Sequence, residues 1–168
     1  MYMLLDEFFE YKNQLVGDML TNPEIVKLVS DDISLIETPE RLVYKQIFPF
    51  EYVPELVDNG KTFICCDVDI GSVTSKTFLE PILYIWVFAH KSKMQLPNGG
   101  VRTDQLCAEI AKTINGSRFY GLGELELRAA PRFSPIADYQ GRELVFQTRD
   151  FNRISPGKKA VPANRKRG

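Results

Sequence analysis

The side chains best suited to chemistry are few and scattered. Asp67 and Asp69 flank Val68. On an extended chain, residues two apart point to one side, so the two carboxylates would share a face and could hold a hard cation or divide acid and base roles. A cation site needs more oxygen ligands, and no third acid stands in a motif with them; the competing reading is a solvated strand face. His90 is the only histidine, leaving a nucleophilic triad one candidate base of near-neutral pKa. A papain-like pair would require it to meet Cys107, which falls on the apolar stripe of an expected helix, where a thiol is usually inert packing. His90 therefore reads as a lone surface residue. Gly116, Gly121 and Gly123 lie between a helix and a strand, the reverse of the order that aims backbone amides at a phosphate, so they read as turn residues. The paired acids Glu7 and Glu10, and Glu124 and Glu126, read as solvated faces. Arg165, Lys166 and Arg167 could touch phosphate without sequence preference, although a charged free end is the simpler reading. These patterns set apart no catalytic, cofactor-binding or metal-ligating residue. The enzymatic alternative is a metal-dependent hydrolase using Asp67 and Asp69, with the basic end guiding nucleic acid.

The elements that would position these residues follow from hydrophobic spacing. Between residues 5 and 20, Leu5, Phe8, Phe9, Leu15, Val16, Met19 and Leu20 return at three- and four-residue steps and predict an amphipathic helix. Asn22-Pro23-Glu24 supplies a cap, a first-turn proline and a favourable acid for a second, short helix through Ile25, Val26, Leu28 and Val29. Residues 33–61 carry Pro39, Pro49 and Pro54 among Tyr44, Phe48, Phe50 and Tyr52: an ordered, proline-broken excursion with short extended pieces near 43–48. Strands are predicted at about 62–70 and 81–89, joined through a polar segment at 71–77; the second is nearly all apolar and should be central in its sheet. After Asn98-Gly99-Gly100, the stripe Thr103, Leu106, Cys107, Ile110, Ala111 and Ile114 predicts a third helix, stopped by Asn115-Gly116. Leu125 and Leu127, and later Leu144 and Phe146, alternate with polar residues and predict two half-buried strands around a turn rich in proline and glycine. The expected fold class is α+β: a mainly antiparallel sheet of about four strands packed against two or three helices.

Composition sets outer limits. With 168 residues, 44% of them hydrophobic, the chain can bury a sizeable core as one domain over 1–154. Residues 155–168 are too polar to fold alone and form a basic tail, flexible or ordered by a partner. The 21 basic and 22 acidic residues give a net charge of −1, which offers no global attraction to nucleic acid or membrane. Three cysteines, two of them adjacent, make no disulfide framework and suit a reducing compartment. The N-terminus lacks the pattern of a signal peptide, and no stretch approaches the roughly 18 apolar residues of a membrane span.

Four segments, taken in order, carry a resemblance: LLDEFFEYKNQLVGDMLTNPEIVKLV, VYKQIFPFEYVP, GGVRTDQLCAEIAKTINGSRFYGLGELEL and RFSPIADYQGRELVFQTRDFNR. Over most of its length the chain resembles the tail terminator, or tail-to-head joining, proteins of long-tailed bacteriophages, especially those of Gram-positive hosts. The resemblance implies a compact α+β subunit without catalysis or cofactor. Such subunits form a six-membered ring on the head-proximal end of the tail tube, stop its growth and dock to the head. The implied partners are further copies of the chain, the major tail tube protein, a head-completion or stopper protein, and DNA passing through the channel; the implied location is the virion neck, after assembly in the host cytoplasm. A neighbouring neck ring, such as a head-side stopper or connector, is the nearest alternative.

A ring needs a head-to-tail contact between two different complementary patches. The candidates for that contact are Phe48, Phe50 and Tyr52 in the excursion, Arg118, Phe119 and Tyr120 after the third helix, and Arg132, Phe133, Tyr139 and Arg142 around the last turn; the competing reading of each aromatic is ordinary core. Segments 71–77 and 91–101 are candidates for contacts with neighbouring rings, or for facing DNA through Lys76, Lys91 and Lys93.

Overall fold

The computed structural model describes residues 4–55, 60–72 and 77–151. Two predicted features therefore lie outside it: the basic tail and Lys76 in the 71–77 connection. Three helices, α1 (Leu4–Leu20), α2 (Pro23–Ser30) and α3 (Arg102–Ile114), pack on one face of a sheet built from β1 (Ile47–Phe48), β2 (Thr62–Ser72), β3 (Phe78–His90), β4 (Glu126–Ala129), β5 (Arg132–Phe133), β6 (Tyr139–Gln147) and β7 (Asp150–Phe151). The α+β class is as expected. The sheet is larger than the four strands foreseen and mixed, because β1 pairs in parallel with β2 while the other pairings are antiparallel.

The sheet order is β1-β2-β3-β6-β4, with β5 also on β6 and β7 on β3. The apolar strand β3 is central, matched to β2 from Ala89↔Thr62 onward and to β6 from Ile82↔Gln147 to His90↔Tyr139. Alternation along these strands makes two cores. Ile64, Cys66, Leu83, Ile85, Leu144 and Phe146 face the helices, where Leu15, Met19, Ile25, Leu106 and Ile110 are fully buried against them. On the other face Phe48, Phe63, Cys65, Phe88 and Tyr139 form a smaller core roofed by Tyr52, Phe133 and Ile136. Each fully buried Leu, Ile or Phe contributes about 1.5–3 kcal/mol relative to exposure.

Local signals act as the residue types dictate. Asn22 accepts from the Glu24 amide, with Pro23 opening α2, and Asp31 ends that helix at φ 55°. Gly116, at φ 79°, takes the left-handed position after α3, a conformation easy only without a Cβ. The excursion holds two 3-10 turns, Ile33–Ile36 and Pro39–Leu42, short elements that suit a proline-broken stretch.

Three expectations are corrected. Strand β4 is exposed at all four residues; Leu125 is fully buried but precedes it, and Leu127 is 39% exposed. Strand β4 lies on the rim of the sheet with a bulge between Leu127 and Ala129, so the alternation has nothing to bury against. Phe9 is 69% exposed rather than part of the α1 stripe: it is one position from the half-buried Phe8, a 100° rotation that turns it outward. Glu7, expected in solvent, is buried.

Candidate interaction surface

The Cys107–His90 pair is not assembled. Cys107 lies in the core beneath the helices, whereas His90 packs edge-on against Tyr139, which belongs to the opposite core. The His90 ring makes a 2.8 Å hydrogen bond with Ser92 Oγ. Burial pushes the thiols of Cys65, Cys66 and Cys107 up to about 12, because a thiolate would lose its hydration there. Asp67 and Asp69 do share the non-helical face, and Glu143 from β6 lines the same shallow depression of about 450 Å³ with Tyr84 and Trp86. Lys12 of α1, however, reaches the Asp67 carboxylate at 2.6 Å. Among the described residues no group of three His, Cys, Asp or Glu side chains is placed to hold a metal ion.

The ten candidate contact residues divide by burial. Phe48 and Tyr139 are core residues of the second face, Phe48 lying parallel to Tyr52 at 4.1 Å between ring centroids. Tyr120 is fully buried and donates its hydroxyl to Asp18 at 2.6 Å; burial first, and then this bond, raise its pKa well above the usual phenol range. Tyr52 and Phe133 are half-buried, with Phe133 5.8 Å from Phe88. Arg142 donates to Asp104 at 3.0 Å and to the Ala130 carbonyl. That leaves Phe50, 43% exposed, Phe119, 77% exposed, Arg132, and Arg118 paired with Glu124 at 2.8 Å as outward-facing groups.

Sequence reasoning missed several exposed apolar groups. Tyr44, with φ 60°, is 65% exposed, and its ring lies 6.2 Å from that of Phe50. Left-handed backbone at an aromatic residue is uncommon, and here the Tyr44 amide donates to the Ile47 carbonyl. The Tyr44 and Phe50 rings flank β1, an edge strand of the sheet, and Val53, five residues beyond it in sequence, is also exposed at 51%. Beside the C-terminal ends of α1 and α3, the loop entering β4 presents Phe119 and then Leu122, held by bonds from the Leu122 amide to the Arg149 carbonyl and from the Leu125 amide to the Ser117 carbonyl. The one available signal was the place of Tyr44 in the proline-broken excursion, where the short alternation near 43–48 does not tell an exposed aromatic from a buried one.

Segment 91–101 is exposed over most of its length and held by local bonds. A 3-10 turn (Lys91–Lys93) opens it, Gln95 bridges Val101, and Leu96 is buried. Lys91 pairs with Asp138 at 2.7 Å and lowers that carboxyl's pKa, while Lys93 pairs with Asp31 at 3.3 Å. Among the described residues no helix is long and apolar enough to cross a membrane.

The family model YomW matches residues 19–148, most of the chain. The chain belongs to the YomW family. That name is phage-derived and of Bacillus type, and the YomW match spans α2, α3 and the strands from β1 to β6. No curated protein and no solved structure matches the chain.

Proposed function

We propose that this YomW-family chain is a structural subunit of a phage neck, a tail terminator that closes into a ring on the head-proximal end of the tail tube and joins it to the head, without catalysis. The observation that carries the reading is a pair of unlike exposed apolar patches, one beside the edge strand β1 and one beside the C-terminal ends of α1 and α3. Tyr44 and Phe50 flank β1, and Phe119 and Leu122 precede β4. Two unlike patches on one subunit are what a closed head-to-tail ring demands, since a self-complementary patch would stop at a dimer. Exposed aromatics flanked by arginine are also the composition of contact centres. The phage-derived family name agrees with this setting. A hexamer, with a tube protein and a head stopper as neighbours in the virion, is part of the same reading; a head-side stopper ring would use the same surfaces.

The test is assembly. Purified chain mixed with tail tubes should bind one tube end and limit tube length, as seen by electron microscopy, with ring mass measured by native mass spectrometry. Phe119→Ala combined with Tyr44→Ala should abolish both while leaving the circular dichroism unchanged. A doubly substituted chain that still caps tubes would refute the reading.

A further inference from the structure

The C-terminal ends of α1 and α3 meet at a shallow hollow of about 400 Å³, lined by Asp18, Thr21, Thr113, Asn115, Ser117 and Phe119. The end of a helix carries a partial negative charge of roughly half a unit, and here two such ends converge. Helix α1 has no basic residue in its last turn, and Lys112 in the last turn of α3 is turned to Glu109 at 2.9 Å. Asp18 adds a carboxylate whose oxygens accept from two neutral donors, the Tyr120 hydroxyl and the Gln14 side-chain amide. Phe119, 77% exposed, brings an aromatic ring to the same hollow. A negative hollow with a free aromatic face suits a guanidinium or ammonium group. We propose that it receives Arg41 and Lys45 of a second copy of this chain, as the joint of a head-to-tail contact, an inference that rests on the ring reading above.

Charge and neighbourhood select that occupant. Arg41, in the 3-10 turn Pro39–Leu42, and Lys45 stand on either side of Tyr44 in sequence, and all three are exposed. The Tyr44 ring is 6.2 Å from that of Phe50, so two cations and two aromatics share one patch. Its mate must bring negative charge and an apolar surface, which the hollow does through Asp18, the helix ends and Phe119. Further out the pattern reverses: the exposed acids Glu40 and Glu51 flank the cations in sequence, while the exposed Lys112 and Arg118 flank the hollow. Either patch laid on its own copy would set like charges face to face, which selects against a two-fold dimer and for a contact between unlike faces.

Two variants of the full-length chain test the joint. Thr21→Lys, at an exposed position, fills the hollow with the chain's own ammonium group at a helix end that tolerates a cation. Arg41→Gln/Lys45→Gln neutralises the other half. In sedimentation velocity each variant should self-associate more weakly than the parent by roughly tenfold or more, with circular dichroism and thermal melting unchanged. Mixed in equal amounts, the two should form a one-to-one dimer and nothing larger, because each keeps one sound half of the joint. Parent-like association of either variant alone, or a mixture that stays monomeric, would overturn the joint while leaving the ring to close through other residues. A parent that is monomeric at its highest soluble concentration would overturn it too. Association that follows the expected pattern in a chain that caps no tail tubes would sink the terminator reading and leave the joint standing.

Discussion

Arg102, at the start of α3, places its guanidinium 2.7 Å from the carboxylate of Asp31, the residue that ends α2. The same group donates to the Leu28 carbonyl at 2.6 Å and to the Lys93 carbonyl at 2.7 Å. One side chain, only 8% exposed, thus ties α2, α3 and the 91–101 loop together. Arg102→Ala should cost about 2–4 kcal/mol in urea unfolding, since it strands buried carbonyl groups, and Arg102→Lys should recover little of it because an ammonium cannot fork to three partners.

Gly141 pairs with Phe88 where β6 runs beside β3, and a Cβ there would collide with the Val87 carbonyl oxygen and stand 2.7 Å from Phe88 Cα. Those are backbone atoms, which cannot swing away. Gly141→Ala should lower stability by roughly 3 kcal/mol or more, or prevent folding. Gly17→Ala, in α1 with nothing within 4 Å of the added methyl, should raise stability by about 0.5–1 kcal/mol. Thermal melts of the two variants against the parent check both signs.

The three buried thiols make alkaline stability a further measurable. Their folded pKa values are pushed up to about 12, whereas an exposed thiol titrates near about 8.5. Above that lower value the unfolded chain releases protons that the folded chain keeps, so the unfolding free energy must fall with rising pH through the window up to about 12 and stay flat with respect to these groups below it. Replacing Cys66 and Cys107 by Ala should make the decline shallower. In the native state, Ellman's reagent should react with all three only as fast as the protein opens.

Tyr120→Phe removes the hydroxyl that meets Asp18 at 2.6 Å. A loss of about 1–2 kcal/mol is expected in chemical denaturation, with tube capping at saturating concentration unchanged. Phe119→Ala, next door and 77% exposed, should do the reverse. The contrast separates a neighbour that packs inside the subunit from one that faces a partner.

These pairs also mark how far sequence carries. Helix α3 was legible because the stripe from Leu106 to Ile114 and the Asn115-Gly116 stop are local, and β3 because an apolar run of that length has to be central. Arg102 was not legible: its partners Leu28 and Asp31 lie more than 70 residues earlier, and nothing near it in sequence announces them. The same holds for Tyr120 and Tyr139, where the residue type fits core and contact surface equally and only the distant Asp18 or Phe63 decides. Strand β4 has a period of two, yet its place at the rim depends on strand order, which alternation does not encode.

Strand β3 is matched rung for rung to β2 over nine positions, with a tenth beyond a bulge at Gly71, and to β6 over nine, while β1 and β7 hold two rungs each. A tug along the strand axis therefore loads many hydrogen bonds together in the middle of the sheet, whereas the two-rung pairings of β1 and β7 present only a few to break. Whatever strain the molecule meets, its margins yield while the central three strands keep their grip.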